Sequence, residues 1–361
     1  MDALRLVAPA PSPQLLEFFK SLQASALQFD AAPPFSDQSQ VEITKALTDP
    51  SWPERLKIFQ LLNQAEPLGL ALFVKEGQAW VLEAALLPAY RGRGWGRFLL
   101  EESLKAFRPE QLKAWVHGGS DPQSPAQLAA LTLAASLGWE LERELYKLAL
   151  PLTDQVRAHL QAAALETPLP AGLLLRPYQL KDASAWVALN ARAFADHPEQ
   201  GRLTEADLSA RLAQDWFRPE GFFLAEEEAT GALAGYHWTK IPQSETPQSE
   251  TPQSEIPAQE AAEQLAEGEV YALGIDPSWQ GRGLGRSLTL SGLAYLAQAR
   301  SEQARSEQAR SEQTQGQKTH SEPGRLLDRL VLYVDASNTP AFSLYSSLGF
   351  SPLSLDRQYR V

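Results

Sequence analysis

The sequence predicts an α+β protein made of two copies of one domain in tandem, and three observations carry that expectation. Two basic, glycine-rich loops of one type, "RGRGWG" at 91–96 and "QGRGLG" at 280–285, each sit between an apolar strand-like run and an amphipathic helical run. The order of strand, proline turn, loop and helix is the same around both loops, and one such order met twice at long separation marks a duplicated unit. The length of 361 residues is ample for two cores of common size.

Along the first half, "LRLVAP" reads as a short strand and "SPQLLEFFKSLQASALQF" as a helix, because its apolar residues recur every three or four positions. "LGLALFVKE" and "AWVLEAALL" read as strands before the loop. After it come a helix in "RFLLEESLKAF", a strand in "LKAWVHG", a helix in "PAQLAALTLAASLGW" and a strand in "YKLALPL". The second half repeats the order from "GLLLRPYQLKDASAWVALNARAF" through "GFFLAEEE", "GALAGYHWTK" and "EVYALGI" to its own loop and helix, and closes with "LVLYVDASNTPAFSLYSSLGF". The domains are expected at 1–152 and 173–361, with a linker at 153–172. Two tracts of five-residue repeats, at about 242–264 and 299–322, interrupt the second copy. Both are polar and lack an apolar stripe, so neither buries enough surface to offset its ordering entropy. The first reads as a disordered loop, and the second either as the same or as a helical extension.

A formal net charge of −12 and a pI near 5.0 argue against a general binder of nucleic acid or anionic membrane. No cysteine is present, which excludes disulfides, thiolate nucleophiles and cysteine metal sites. No run is long and apolar enough for a membrane span, and the first residues do not resemble a secretory signal, so a cytoplasmic protein is expected; it is also expected to be a monomer. The five histidines give no pair at metal-ligand spacing, and His117, His197 and His237 are read as packing or hydrogen-bonding residues.

The loops carry the chemistry. Glycines let the main chain curl so that successive N–H groups converge, and the following helix adds the positive end of its dipole, which together make an anion site suited to a diphosphate. Arg282 and Arg286 add charge at the rim of the second loop. The lysine and Ser/Thr of a Walker loop are missing, and the spacing differs from the dinucleotide fingerprint. A plain strand-to-helix turn is the alternative reading.

The pattern Gln/Arg-x-x-Gly-x-Gly resembles the acetyl-coenzyme A loop of the GCN5-related N-acetyltransferases (GNAT). It is met by Gln280, Gly281, Arg282, Gly283, Leu284 and Gly285, and by Arg91, Gly92, Arg93, Gly94, Trp95 and Gly96. The resemblance implies two GNAT domains, each a mixed, mostly antiparallel sheet flanked by helices, with acetyl-CoA as donor and no metal. It implies that a splayed strand binds the pantetheine arm through its main chain: Leu273, Gly274 and Ile275 in the second copy, Ala84, Ala85 and Leu86 in the first, with Arg286 and Arg97 beside the loops. It also places Asn338, Thr339, Pro340, Ala341, Phe342 and Ser343 beside the coenzyme. The first copy keeps Gly138 and Trp139 but lacks the matching Asn and Tyr, so that domain is expected to be catalytically degenerate.

More specifically, "AFADHPEQGRLT", "AGYHWTKI", "GEVYALGIDPSWQGRGLGRSLT", "LYVDASNTPAFSLYSSLGF" and "WVHGGSDPQ" resemble the mycothiol synthase family over nearly the whole chain outside the repeats. That family transfers acetyl to the cysteinyl amine of a glucosaminyl-inositol. The resemblance implies acceptor contacts at Asp37, where the family usually has Glu, and at Glu199, Lys240, Glu269 and Tyr333. Attack on a thioester needs an uncharged amine, so a general base is required, and Glu269 at the start of its strand is expected to serve. Period two puts Glu269, Tyr271, Leu273 and Ile275 on one face. Tyr333 is nominated as the acid that protonates the leaving thiolate, with Tyr345 as its rival. Two other readings stay open: a tandem acetyltransferase for a different amine, and a coenzyme-binding sensor without turnover.

Overall fold

The computed structural model describes residues 4–119, 121–195, 200–241, 265–299 and 326–361. In chain order the elements are β1 (Leu4–Val7), α1 (Pro13–Asp30), α2 (Asp37–Lys45), β2 (Leu56–Asn63), β3 (Glu66–Glu76), β4 (Ala79–Leu86), α3 (Trp95–Ala106), β5 (Leu112–Val116), α4 (Pro125–Ser136) and β6 (Glu140–Pro151). There follow α5 (Asp154–Glu166), β7 (Leu173–Pro177), α6 (Ala183–Ala193), α7 (Glu205–Leu212), β8 (Phe222–Glu227), β9 (Leu233–Lys240) and β10 (Glu267–Ile275). The chain closes with α8 (Leu284–Gln298), β11 (Arg329–Asp335), α9 (Thr339–Ser347) and β12 (Ser351–Arg360). They form two compact units. Unit 1 holds Met1–Leu148, Val334–Ser346 and Ser351–Val361; unit 2 holds Ala149–Tyr333 and Ser347–Phe350.

Within unit 1 the strand order is β1-β2-β3-β4-β5-β12-β6. The helix expected at its start is α1, which opens on Pro13 with Ser12 as cap, the Ser12 hydroxyl accepting the Leu15 N–H at 3.2 Å. Its buried residues Leu15, Phe19, Leu22 and Ala26 fall at helical spacing. β3 shows why the sheet has two covered faces. Leu70, Leu72 and Val74 pack with α1 and α2 residues such as Phe19 and Ile43, while Ala71 and Phe73 pack with Leu99 and Leu100 of α3. Each such large apolar side chain contributes about 1.5–3 kcal/mol on full burial. The last strand, β12, belongs to this unit and pairs antiparallel with β5, Tyr359 opposite Ala114.

Within unit 2 the order is β11-β10-β9-β8-β7. One face is aromatic, with Trp186, Phe222, Tyr236 and Trp238 in one cluster and the Phe222 and Trp238 rings stacked at 4.2 Å. The other face packs Ala225 and Ala234 against Leu284 and Leu288 of α8. Residues 153–172, assigned to a linker from sequence, contain α5, which belongs to unit 2. Its Arg157 donates to the Ala297 and Leu327 carbonyls and its Gln161 to the Ala294 carbonyl at 2.6 Å. The first repeat tract, 242–264, lies outside the described residues, as does the second beyond Ala299.

Candidate active site

Both glycine loops have the same local construction. The strand ends, a short proline turn follows, and two glycines adopt left-handed φ: Gly281 and Gly283 at +73° and +86°, Gly92 and Gly94 at +74° and +78°. An L side chain is strained there, which is why glycine recurs at these positions. Gly283 and Gly94 are the helix caps of α8 and α3, and neither helix start has a side-chain cap. The first N–H groups of each helix, with no intrahelical acceptor, therefore stay available to an anion. The Gln or Arg that opens the pattern has a structural role of its own. Gln280 Nε2 donates to the Ile275 carbonyl at 3.4 Å and Arg91 Nε to the Leu86 carbonyl at 3.1 Å, each closing its loop onto the end of its strand.

In unit 2, β10 pairs in parallel with β11 only as far as Val270–Leu332. Beyond that point the two strands part, so that the Leu273–Ile275 main chain faces a gap on that side. On its other side β10 pairs with β9, and the register shifts between Val270 and Ala272. Tyr271 is the extra residue of this β-bulge. The bulge corrects the expectation that Glu269, Tyr271, Leu273 and Ile275 share one face. Tyr271 lies against Trp238 and Trp216 at 5.1 and 4.9 Å, whereas Leu273 and Ile275 pack on the opposite face with Leu284 and Leu288. Period two cannot survive one inserted residue. Gly274 follows from close packing, because a Cβ there would lie 2.3 Å from the Tyr236 ring.

Glu269 and Lys240 stand opposite each other across β10 and β9, with Lys240 Nζ 3.1 Å from Glu269 Oε2. The same ammonium sits 5.7 Å from the Trp216 ring centre. Tyr333 lies two residues beyond Val331, the parallel partner of Glu269, so it projects on the same side of the sheet, and it is 48% exposed. Its rival Tyr345 belongs to unit 1 and is only 6% exposed, and burial raises its pKa above the ordinary phenol value. Glu199 and His197 lie outside the described residues. Asp37 is exposed at the start of α2 in unit 1. Asn338 to Ser343 also belong to unit 1, where Asn338 Oδ1 accepts the Ala341 N–H at 3.2 Å at the start of α9. His237 is buried beneath α8 with Nδ1 2.7 Å from the Leu288 carbonyl, and burial lowers its pKa to about 4.

Unit 1 encloses a cleft of about 600 Å³, lined by Ala84–Leu86, the loop residues Gly92, Gly94, Gly96 and Arg97, and α4. Its strands part as those of unit 2 do, after Leu82–Ala114. The β3–β4 ladder, however, runs from Gly69–Leu86 to Glu76–Ala79 without a shift. Matching the last parallel pairs of the two units puts Val81 where unit 2 has Glu269, Trp115 where it has Tyr333, and Val74 where it has Lys240. Unit 1 thus has the coenzyme-type loop and the gap, but neither the bulge nor ionisable side chains at these three positions.

Sequence reasoning missed two groups. Arg211 of α7 donates from Nε to the Tyr271 hydroxyl at 3.0 Å, next to the Glu269–Lys240 pair, and nothing in its spacing announced that meeting. In unit 1, Glu83 is 1% exposed and accepts from Ser36 N–H (3.1 Å) and Ser39 Oγ (2.5 Å), while the His117 ring lies 2.7 Å away. His117 Nδ1 also faces Asp356 at 3.4 Å. Burial alone would lower the His117 pKa, but Asp356 and Glu83 push it up to about 10. Burial likewise opposes ionisation of Glu83, and His117 and Ser39 outweigh it, so its pKa lies below the ordinary carboxylate value. The available signal was one carboxylate in the apolar run "AWVLEAALL", since a buried charge needs partners. Among the described residues no group of three His, Cys, Asp or Glu side chains is placed to hold a metal, and no helix is long and apolar enough to cross a membrane.

The comparisons with known proteins agree with this geometry. The Acetyltransferase (GNAT) family model matches twice, over residues 24–133 and 186–311. A mycothiol acetyltransferase of Rothia mucilaginosa is 37% identical over 359 residues, covering 97% of this chain and 91% of that one. Another, from Salinispora tropica, is 41% identical over 281 residues, covering 78% and 72%. Among solved structures, a GCN5-related N-acetyltransferase from Sphaerobacter thermophilus superposes with a TM-score of 0.63 at 18% identity, over 100% of this chain and 96% of that one. A tandem GNAT protein from the clavulanic acid biosynthesis pathway gives 0.61 at 20% identity, over 99% and 98%. At those identities the structures establish the α+β fold alone. With one family model on both halves and a relative more than a third identical over nearly its whole length, the chain belongs to the GNAT acetyltransferase family, among the tandem proteins named mycothiol acetyltransferase.

Proposed function

We propose that this protein transfers acetyl from acetyl-CoA to the cysteinyl amine of a cysteinyl-glucosaminyl-inositol, giving mycothiol, and that unit 2 performs the chemistry. The observation that carries the assignment of unit 2 is the ion-paired Glu269 on the strand that bulges and parts from its neighbour, where unit 1 has Val81 on a regular ladder. The acceptor is the one that the names of the relatives imply.

The loop N–H groups from Gly281 to Arg286 hold the pyrophosphate, and the Leu273–Ile275 main chain holds the pantetheine arm. Glu269 takes a proton from the acceptor ammonium, freeing the lone pair that attacks the thioester carbon. The C–N bond forms, and the negative charge on the carbonyl oxygen is met by main-chain N–H at the bulge, where the strand pairing is interrupted. The C–S bond then breaks: Tyr333 protonates the leaving thiolate, the attacking nitrogen gives up its second proton to solvent as the amide forms, and solvent exchange reprotonates the Tyr333 phenolate and deprotonates Glu269 for the next turnover. With no cysteine in the chain, direct transfer needs no acyl-enzyme. Lys240 orients Glu269 and contacts acceptor hydroxyls. Unit 1 binds acetyl-CoA in its own cleft through Ala84–Leu86 and Gly92–Arg97 without turnover. No step calls for a metal; acetyl-CoA as donor supports a cytoplasmic reaction, and the enzyme is proposed to act as a monomer.

The test is a transfer assay with purified protein, acetyl-CoA and the cysteinyl-glucosaminyl-inositol, following free thiol and the mass of the acceptor. Release of one coenzyme A per N-acetylated acceptor is expected. Preference for an unrelated amine in direct competition would overturn the substrate assignment.

A further inference from the structure

Beside the Glu269–Lys240 pair lies a cavity of about 230 Å³. Its walls include Tyr271, Trp238, Trp186, Asn190 and Arg211. It shares an aromatic wall with that pair: Lys240 Nζ sits over Trp216, and the Trp216 ring is 4.9 Å from Tyr271 and 5.8 Å from Trp238. The volume is below the roughly 300–1,000 Å³ of sites for drug-sized ligands, so it suits one ring rather than a whole acceptor.

The wall chemistry narrows the occupant. Among the described residues no carboxylate lines the cavity, which disfavours a cation. The aromatic side chains offer apolar faces to the C–H groups of a ring. The guanidinium offers donors: Arg211 Nε is anchored on the Tyr271 hydroxyl at 3.0 Å and Nη1 on the Asp207 carbonyl at 2.9 Å, so the plane is held in place, and among the described residues no hydrogen-bond partner is seen for Nη2. Fixed donors beside aromatic faces match an uncharged polyol ring, whose hydroxyls accept while its C–H face stacks. Tyr271 owes its position to the bulge, so the same backbone irregularity that opens the reaction centre also sets this wall.

We propose that this cavity seats a polyol ring of the acceptor, with Arg211, anchored by Tyr271, as the hydrogen-bonding group that selects for it. The inference rests on the acceptor assigned above and adds a specificity site to it.

The experiment compares two acceptors with the same cysteinyl amine, cysteinyl-glucosaminyl-inositol and cysteinamide, which has no ring. The full-length wild type, Arg211→Gln and Tyr271→Phe are measured in parallel. For the full acceptor, Arg211→Gln is expected to raise KM about 10-fold or more while kcat changes less than about 3-fold, as befits loss of a charge-assisted contact made before the chemical step. For cysteinamide kcat/KM should stay within about 2-fold, so that the wild-type preference shrinks by the same factor. Tyr271→Phe, which keeps the ring and removes only the anchor, should give a smaller shift in the same direction, and it carries the test if Arg211→Gln does not fold. Equal losses on both acceptors would overturn the proposal, as would no change on either or a wild type that does not distinguish them. A wild type that acetylates neither would instead overturn the acceptor assignment, and the proposal with it.

Discussion

Glu269 and Val81 occupy matching places in two ladders, and in the proposed mechanism the difference between a carboxylate and an isopropyl group is what lets unit 2, and not unit 1, take a proton from an amine. A departing thiolate is a good leaving group, so Tyr333, the proposed acid, has less to do. Tyr333→Phe is expected to lower kcat by about 10-fold and no more, a tenfold change being about 1.4 kcal/mol of barrier, measured with saturating acetyl-CoA and acceptor. The buried histidines make opposite predictions about pH. His237 has its pKa lowered to about 4 by burial, below its unfolded value near 6.5, so the unfolded state takes up a proton that the folded state refuses. Its contribution is intact above that unfolded value and is lost as pH falls toward 4, by on the order of 3 kcal/mol. Urea unfolding of unit 2 from pH 7 to 4 should show this slope, reduced by one proton in His237→Gln. His117 is raised to about 10, so its contribution is complete below pH 6.5 and is lost as pH rises through about 10. At this scale residue types were readable from the chain and their meetings in space were not. Lys240 and Glu269 were both singled out from the sequence, but that they meet as an ion pair depends on a register that no spacing shows.

Each loop element is a strand end, two left-handed glycines and an uncapped helix start, and its function is inseparable from that backbone. A Cβ at Gly281 or Gly283 would meet no neighbour within 4 Å, so substitution there costs backbone strain alone. Gly283→Ala is therefore expected to cost about 1–2 kcal/mol at the loop and to weaken acetyl-CoA binding to unit 2 about 10-fold, as read by calorimetry. A loss of affinity below 2-fold would show that the loop N–H groups are not the pyrophosphate ligands. Helices α1, α3 and α4 and strands β3 and β4 were legible because their apolar pattern reports burial directly, as in α1 with Leu15, Phe19, Leu22 and Ala26, whereas α2, α7 and β2 were not read from the sequence. The bulge at Tyr271 was not, because one inserted residue leaves composition and local propensity unchanged and shows only in pairing with β9. Nor was α5, whose polar face and position between the copies suggested a linker.

The chain repeats one pattern with differences, a glycine loop in each unit but the Glu269–Lys240 pair in unit 2 where unit 1 has Val81 and Val74. Duplication was legible at long range from the two loops, but the composition of unit 1 was not, since its sheet is completed by β12 from the far end of the chain. Pairing of Arg357–Arg360 with Lys113–Val116, together with the Gly118 N–H donated to Asp356 at 2.9 Å, makes that strand part of unit 1. Removing residues 351–361 is thus expected to raise hydrogen exchange across β4 and β5 far more than across β8 and β9, although the deletion adjoins the second copy in sequence. The most direct test of the account as a whole is single-turnover transfer by Glu269→Gln, with acetyl-CoA binding measured on the same protein. A rate lowered by about 10²–10⁴-fold is expected, with coenzyme affinity within about 2-fold of wild type. A wild-type rate would contradict it.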